Sequence, residues 1–481
     1  MNNAGTNVIR IWKGFLSETS IHACHYLTHG NKHVVSRGLW LLAVITCFIC
    51  LVTNLQTLYS VYRQYNYLTK TSVIFDDKLE FPAISLCNSQ SFDKNKMNTS
   101  SDLYTFLYET NTYSLSNRSI YSESKWNSTI VTPWDLETAV LTANETFHQV
   151  YHRSGRIYRN DFQMNYRGAM ETCFTYNGQW KQKDLTPIIS NADDELTMYV
   201  DINQDLYAFE SATAGFHLCI HPPDEPLDSK TPCTVLSPGH AYEVKLTVQD
   251  YTYLPHPYNS YQSGDCVQTS HSSFKNNLKY FHRYSYRACL QECVTDMVLE
   301  ACGCITESEV QNASNNYCTV TQRFKCVGYV RGKFYSYAHA NNATASCTCP
   351  RPCSDVVYHQ DLSASFFPAD SFVNFLKRLK ITSSLEHARS NLLRITISFK
   401  SLMVTHVSHV PEYTSEDVIS SMGGFMGFFI GASILSVLEV LDVVLRTITA
   451  IIVSYFKAEI VNKTKPVLTQ TIVKDILPTV E

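Results

Sequence analysis

The stretch from Gly423 to Asp442 reads GGFMGFFIGASILSVLEVLD, and its mixture of apolar bulk, recurrent small residues and two carboxylates decides the fold. The apolar run extends from Met422 to Phe456, and roughly 20 such residues cover the ~30 Å hydrocarbon core of a bilayer. Glu439, Asp442 and Arg446 interrupt it. An intramembrane carboxylate costs about 3 kcal/mol unless it faces protein or water, so Glu439 and Asp442 are predicted to sit in an aqueous pore or at its mouth. Gly423, Gly427 and Gly431 recur every four residues, a spacing that also lets helices pack closely. Close packing accounts for Gly423 and Gly427 as readily as a pore does. It does not account for Gly431-Ala432-Ser433 followed by two carboxylates. Small residues let several chains converge, exposed carbonyls and the Ser433 hydroxyl replace part of an ion's hydration shell, and a carboxylate ring downstream concentrates cations.

A second apolar run, GLWLLAVITCFICLV from Gly38 to Val52, carries no charge and continues as an aromatic-rich helix to about Tyr62. The 37 residues before it are polar and read as no cleavable signal peptide. Lys13, Lys32 and Arg37 precede the first run and Lys457, Lys463 and Lys465 follow the second, which predicts two cytoplasmic ends. Between the runs lie 14 of the 17 cysteines, an even number that suits disulfides in an oxidising compartment; Cys24, Cys47 and Cys50 lie outside. Six Asn-x-Ser/Thr sequons share that region, at Asn98, Asn117, Asn127, Asn144, Asn312 and Asn342. The predicted layout is a cytoplasmic segment (1–37), a first span (38–64), an extracellular domain (65–415), a second span (416–456) and a cytoplasmic tail (457–481). The expected location is the plasma membrane. A net charge of −4 implies no polyanionic partner, nucleic acid included.

The extracellular domain reads as α+β. Strand alternation is clear at Leu196, Met198, Val200 and Ile202, at Phe216, Leu218 and Ile220, at Tyr242, Val244, Leu246 and Val248, and at Ile395, Ile397 and Phe399. HPPDEP from His221 and YLPHPY from Tyr253 break these runs. A helix is expected over Asp370 to Leu379, with Asp370 as its cap. Residues 91–168, tyrosine-rich and poorly periodic, read as an irregular protruding module. Cys289 and Cys293 lie one helical turn apart, and Cys302-x-Cys304, Cys318, Cys326, Cys347-x-Cys349 and Cys353 follow. Zinc sites favour C-x2-C pairs in a reducing compartment, so no metal is expected here, nor at the crowded His22, Cys24, His25, His29 and His33. No nucleophile or metalloprotease motif appears, and no enzyme activity or cofactor is expected.

FPAISLCN at Phe81–Asn88, the cysteine series from Cys266 to Cys353, the Gly423–Asp442 segment and THG at Thr28–Gly30 together resemble the degenerin/epithelial sodium channel family. The resemblance implies a trimer, homomeric or formed with related subunits. It implies an extracellular domain of palm, β-ball, finger, thumb and knuckle, and a sodium-conducting pore blocked by amiloride-type compounds. It assigns the selectivity filter to Gly431, Ala432 and Ser433, pore acidity to Glu439 and Asp442, and gating to His29, Gly30, Ser420 and Ser421. It further implies nested thumb bridges Cys266–Cys353, Cys289–Cys349, Cys293–Cys347, Cys302–Cys326 and Cys304–Cys318, with Cys87–Cys173 from the CFTYNG segment; Cys219 and Cys233 remain for each other.

The stimulus is where this chain departs from the family's acid-sensing branch. That branch has a His pair after the first span, where this chain reads Tyr65-Asn66-Tyr67-Leu68-Thr69-Lys70. It also sets thumb carboxylates against a palm Asp-Glu pair. Here Asp224-Glu225 is kept, but VGYVRGKFYSY after Cys326 supplies Arg331 and Lys333. Ser420 and Ser421 stand where that branch has Gly-Asp. Without clustered carboxylates little raises a pKa towards neutrality. Tyr104, Phe106, Tyr108, Trp126 and Trp134 are candidates to line a site for an aromatic, basic ligand through stacking and cation–π contacts. The expected activity is therefore a sodium channel opened by an extracellular RFamide-type neuropeptide. The alternatives are a proton-gated or constitutively open channel of the family, and a two-span receptor or adhesion protein.

Overall fold

The structure is a computed structural model that describes residues 2–21, 34–111, 124–152, 155–157, 159–167, 171–179, 188–190, 194–261, 265–269, 271–310, 313–340 and 347–471. The chain divides into two units, residues 1–68 with 411–481, and residues 69–410.

The first unit is helical. Its elements are α1 (Asn2–Glu18), α2 (Val34–Tyr62), α4 (Ser415–Ile430) and α5 (Ile434–Thr471), with α3 reserved for the second unit. α2 is long and apolar enough to cross a membrane, and α4 with α5 as far as Phe456 meets the same test as a pair bent by 75°. α4 packs along α2, and α1 packs along α5. Both apolar runs of the sequence thus become helices, but the second is broken rather than continuous.

The second unit is built on two sheets. One orders its strands β11 (Ser354–Phe366), β10 (His240–Thr252), β12 (Leu392–Pro411), β7 (Glu195–Asp201), β3 (Phe147–His152) and β4 (Gly155–Arg156), with β1 (Tyr67–Phe75) also paired to β12. The other orders β9 (Cys233–Leu236), β8 (Phe216–His221), β2 (Ala83–Asn88), β6 (Glu171–Tyr176) and β5 (Gln163–Arg167). β10 runs parallel to β12 and antiparallel to β11. The alternating residues of β7, β8, β10 and β12 read from the sequence all belong to one buried core, joined by Ile84 and Leu86 of β2. Alternation directs every second side chain inward, and burying a Leu, Ile or Val contributes about 1.5–3 kcal/mol. The proline stretches stand where expected, closing β8 after His221 and β10 after Thr252.

Two expectations fail. Residues 91–168 are not irregular throughout: helices Asp102–Asn111 and Pro133–Ala139 lie there, around a core of Phe106, Leu107, Trp126 and Leu136. Helices this short carry too few turns to show a period, and the core is completed by the distant Phe209 and Val320. Asp370 caps nothing. It lies inside a 3-10 turn preceded by Ala369, the α-helix runs only Val373–Arg378, and the Asp370 carboxylate binds Arg389 at 2.6 Å.

Seven disulfides close the second unit: Cys87–Cys173, Cys219–Cys233, Cys266–Cys353, Cys289–Cys349, Cys293–Cys347, Cys302–Cys326 and Cys304–Cys318. The last five converge on α3 (Tyr286–Cys302) and the segments around it. Asn98, Asn127 and Asn144 are exposed, and Asn117, Asn312 and Asn342 lie outside the described residues.

Trp126 is fully buried. Trp126→Ala is expected to cost about 3–5 kcal/mol and to lower the thermal midpoint of the detergent-solubilised chain. An unchanged midpoint would remove Trp126 from a load-carrying core.

Candidate functional site

The break between α4 and α5 is made by backbone chemistry. Thr414 starts α4 with a capping box: its hydroxyl accepts from Asp417 N–H at 3.2 Å, and the Asp417 carboxylate accepts from Thr414 N–H at 2.9 Å. Gly431 ends it. Its φ of +61° lies in the left-handed region where glycine alone avoids a Cβ penalty, and its N–H donates to Gly427 O at 3.0 Å. Ala432 N–H donates to Met426 O at 3.2 Å. Ser433 then opens α5: Val437 N–H reaches its carbonyl at 3.3 Å, and its own N–H donates to Ser436 Oγ at 3.1 Å. The helix ladder is therefore interrupted at Gly431-Ala432-Ser433. A Cβ added at Gly423, Gly424 or Gly427 would meet nothing within 4 Å, so no neighbour in this chain requires a glycine there.

The two carboxylates of α5 differ in their surroundings. Glu439 Oε2 accepts from Thr19 Oγ1 at 2.9 Å and from Ser20 N–H at 3.1 Å, so the segment after α1 binds it. Asp442 lies 2.8 Å from Arg446, one turn along the same exposed helix face. Ser420 is exposed and Ser421 half-buried on α4. His29 and Gly30 lie outside the described residues. The sequence reading missed Thr19 and Ser20, which nothing local marks as partners of a residue 420 positions away. It treated Arg446 only as a cost, although its spacing of four from Asp442 is the ion-pair signature of a helix.

A second set of groups meets in the other unit. Ser285 caps α3 by accepting from Ala288 N–H at 3.1 Å, which sets Arg287 in the first turn. Arg287 Nε lies 3.0 Å from Glu225 and its Nη1 2.9 Å from Asp228, while Arg283 Nη1 donates to Asp224 at 3.0 Å. These acids occupy the proline-rich loop after β8. Beside them opens a cavity of about 730 Å³ whose walls include Glu225, Arg287, Tyr261, Tyr286, Asp355 and Tyr358. Burial pushes the Glu225 carboxyl up to about 7 against the pull of Arg287. Burial likewise raises Asp355, and it raises Glu80, helped by the charge of Asp224.

This corrects the view that carboxylates with raised pKa values are missing. Glu80, Glu225 and Asp355 supply them, with Arg283 and Arg287 as counter-charges. Arg331 pairs with the buried Glu309. Among the described residues, the aromatic side chains expected to line a peptide site do not converge on one. Phe106 and Trp126 are core, Tyr104 stacks on Tyr108 with ring centroids 6.1 Å apart, and Trp134 is largely exposed.

A broken apolar helix pair carrying carboxylates is thus joined in one chain to a disulfide-framed α/β unit. Residues 15–443 match the family described as amiloride-sensitive sodium channel, and the chain belongs to that family. Among similar proteins, human acid-sensing ion channel 2 is 25% identical over 90% of this chain and 86% of its own length. Zebrafish (Danio rerio) acid-sensing ion channel 1B is 26% identical over 89% of this chain and 75% of its own, and the mouse (Mus musculus) bile acid-sensitive ion channel is 22% identical over 89% and 86%. The chain is thus a sodium channel protein of the degenerin/epithelial sodium channel family.

Arg446→Gln leaves Asp442 without its counter-charge. A unit charge 4 Å from a cation is worth about 1 kcal/mol in water, a factor of about five in local concentration at most. The expected outcome is a larger inward unitary current, read in single-channel recordings. Equal unitary currents in wild type, Arg446→Gln and Asp442→Asn would place the pair off the conduction path.

Proposed function

We propose that the chain is one subunit of a trimeric, amiloride-sensitive sodium channel of the plasma membrane, with both termini cytoplasmic and residues 65–415 outside. Its pore is lined by α4 and α5, with the filter at Gly431, Ala432 and Ser433 and with Glu439 and Asp442 below it. The observation that carries this reading is the break itself. At Gly431-Ala432-Ser433 α5 turns by 75°, and apolar side chains such as Ile434, Leu435, Leu438 and Leu441 stay exposed along it. Polar backbone at membrane depth is tolerated only where it is buried in protein or lines water. Neighbouring copies, homomeric or from related subunits, supply both conditions. Ser420 and Ser421 on α4 and the His29-Gly30 segment are the proposed gating positions.

For the stimulus, extracellular acid is favoured by the Arg287–Glu225–Asp355 cluster. The raised pKa of Glu225 means that the packed arrangement holds a proton that a solvated Glu225, near 4.5, would have lost. Its contribution to that arrangement is fully present below pH ~4.5 and is lost as pH rises through about 7. Acid steps therefore shift the balance between packed and loosened forms. A second reading, an amidated Arg-Phe peptide, is favoured by the same cavity, whose carboxylates and tyrosines offer charge and ring faces to a guanidinium and a phenyl group.

Currents in cells expressing the chain test these readings. Sodium-selective, amiloride-blocked current establishes the channel, and its absence with the chain at the surface overturns it. Ser433→Phe is expected to abolish current or weaken sodium over potassium selectivity at unchanged surface level. Glu225→Gln is expected to flatten the response between pH 7 and 5; an unaltered acid response in that variant would sink the acid reading. A response to an RFamide peptide and none to acid would select the second reading.

A further inference from the structure

We propose that Thr19 and Ser20 are positioning residues of the conduction path, holding the Glu439 carboxylate and joining the cytoplasmic segment to the filter break. This rests on the reading of Glu439 as a pore residue.

The contacts form one continuous chain. Ser433 N–H donates to Ser436 Oγ at 3.1 Å, and Ser436 Oγ shares a hydrogen bond of 2.6 Å with Ser20 Oγ. Ser20 N–H and Thr19 Oγ1 both donate to Glu439 Oε2, at 3.1 and 2.9 Å. Ser436 is only 1% exposed, so this is an enclosed joint rather than a chance surface contact. The α1 helix packs along α5 and delivers the two residues to it, with Thr19 N–H still bonded to Phe15 O at 2.9 Å. Asp442, three residues on, turns to Arg446 instead among the described residues.

The chemistry gives the joint a role in selectivity. A carboxylate on a flexible side chain adapts to ions of different radius. One that two donors hold in place keeps a single spacing, and its charge is partly spent on those donors. It then interacts with a passing ion at a fixed distance and reduced field, and both terms set which ion loses its hydration shell most easily. Because the same chain of bonds ends on Ser433 N–H, a displacement of α1 would also move the backbone at the filter break.

The test uses the full-length channel in cells. Thr19→Val removes one donor at nearly constant shape, Thr19→Ser restores it, and Ser20→Ala cuts the link to Ser436 while keeping the backbone donor. The expected result is a sodium-to-potassium permeability ratio at least about twofold lower in Thr19→Val and Ser20→Ala, at unchanged surface biotinylation, with Thr19→Ser close to wild type. Thr19→Val added to Glu439→Gln should change nothing further. If Glu439→Gln shifts the reversal potential and Thr19→Val and Ser20→Ala do not, the proposal falls while the pore reading stands. If Glu439→Gln shifts nothing, the pore reading falls and the proposal with it. A Thr19→Cys, Glu439→Cys double variant provides a readout that needs no current. Mild oxidation in membranes should yield the linked 19–439 peptide by mass spectrometry, and its absence overturns the contact.

Discussion

Covalent cross-linking is the constraint on which residues 69–410 depend. Five of the seven bridges gather around α3, where buried apolar side chains form only small clusters such as Val298, Cys304, Cys318 and Val327. Each such bridge is worth about 2–5 kcal/mol, chiefly by restricting the unfolded chain, so cysteine does here what leucine does in the sheets. The firm placement of α3 lets Arg287 meet Glu225 and Asp228 at hydrogen-bonding distance without a large hydrophobic interface behind it.

Legibility in the sequence followed the range of each interaction. Period-two patterns in β7, β8, β10 and β12 were read correctly because one sheet face is buried and the signal is local. The two apolar helical regions were visible for the same reason. The helical module within residues 91–168 was not, because its short helices share a core with Phe209 and Val320. Asp370 misled as a cap because a polar residue before an apolar face is a common pattern, and the chain used it for an exposed ion pair with Arg389 instead.

The electrostatic sites show the same divide. Gly431-Ala432-Ser433 could be singled out from residue types alone, although the left-handed turn that makes it a break is a property of the folded backbone. The state of Glu225 could not be read, since its raised pKa comes from burial beneath side chains far along the sequence, and the Arg residues opposite it lie some 60 positions away in α3 and its approach. The acids whose carboxyls burial raises, Glu80, Glu225 and Asp355, come from three separate strands and loops.

The five-stranded sheet carries a mechanical consequence. Cys87 faces Cys173 directly across β2 and β6, and Cys219 faces Cys233 across β8 and β9, with Cα atoms 4.0 and 4.2 Å apart. β8 is in turn bonded to β2. Both flanks of the central β2–β8 pair are thus stitched and cannot be unzipped strand by strand, while the outer seam of β5 on β6 carries no bridge. The other wall of the nearby cavity is joined differently: there α3 and its approach meet the proline-rich loop through arginine–carboxylate contacts, which can break and re-form without rupture of a covalent bond.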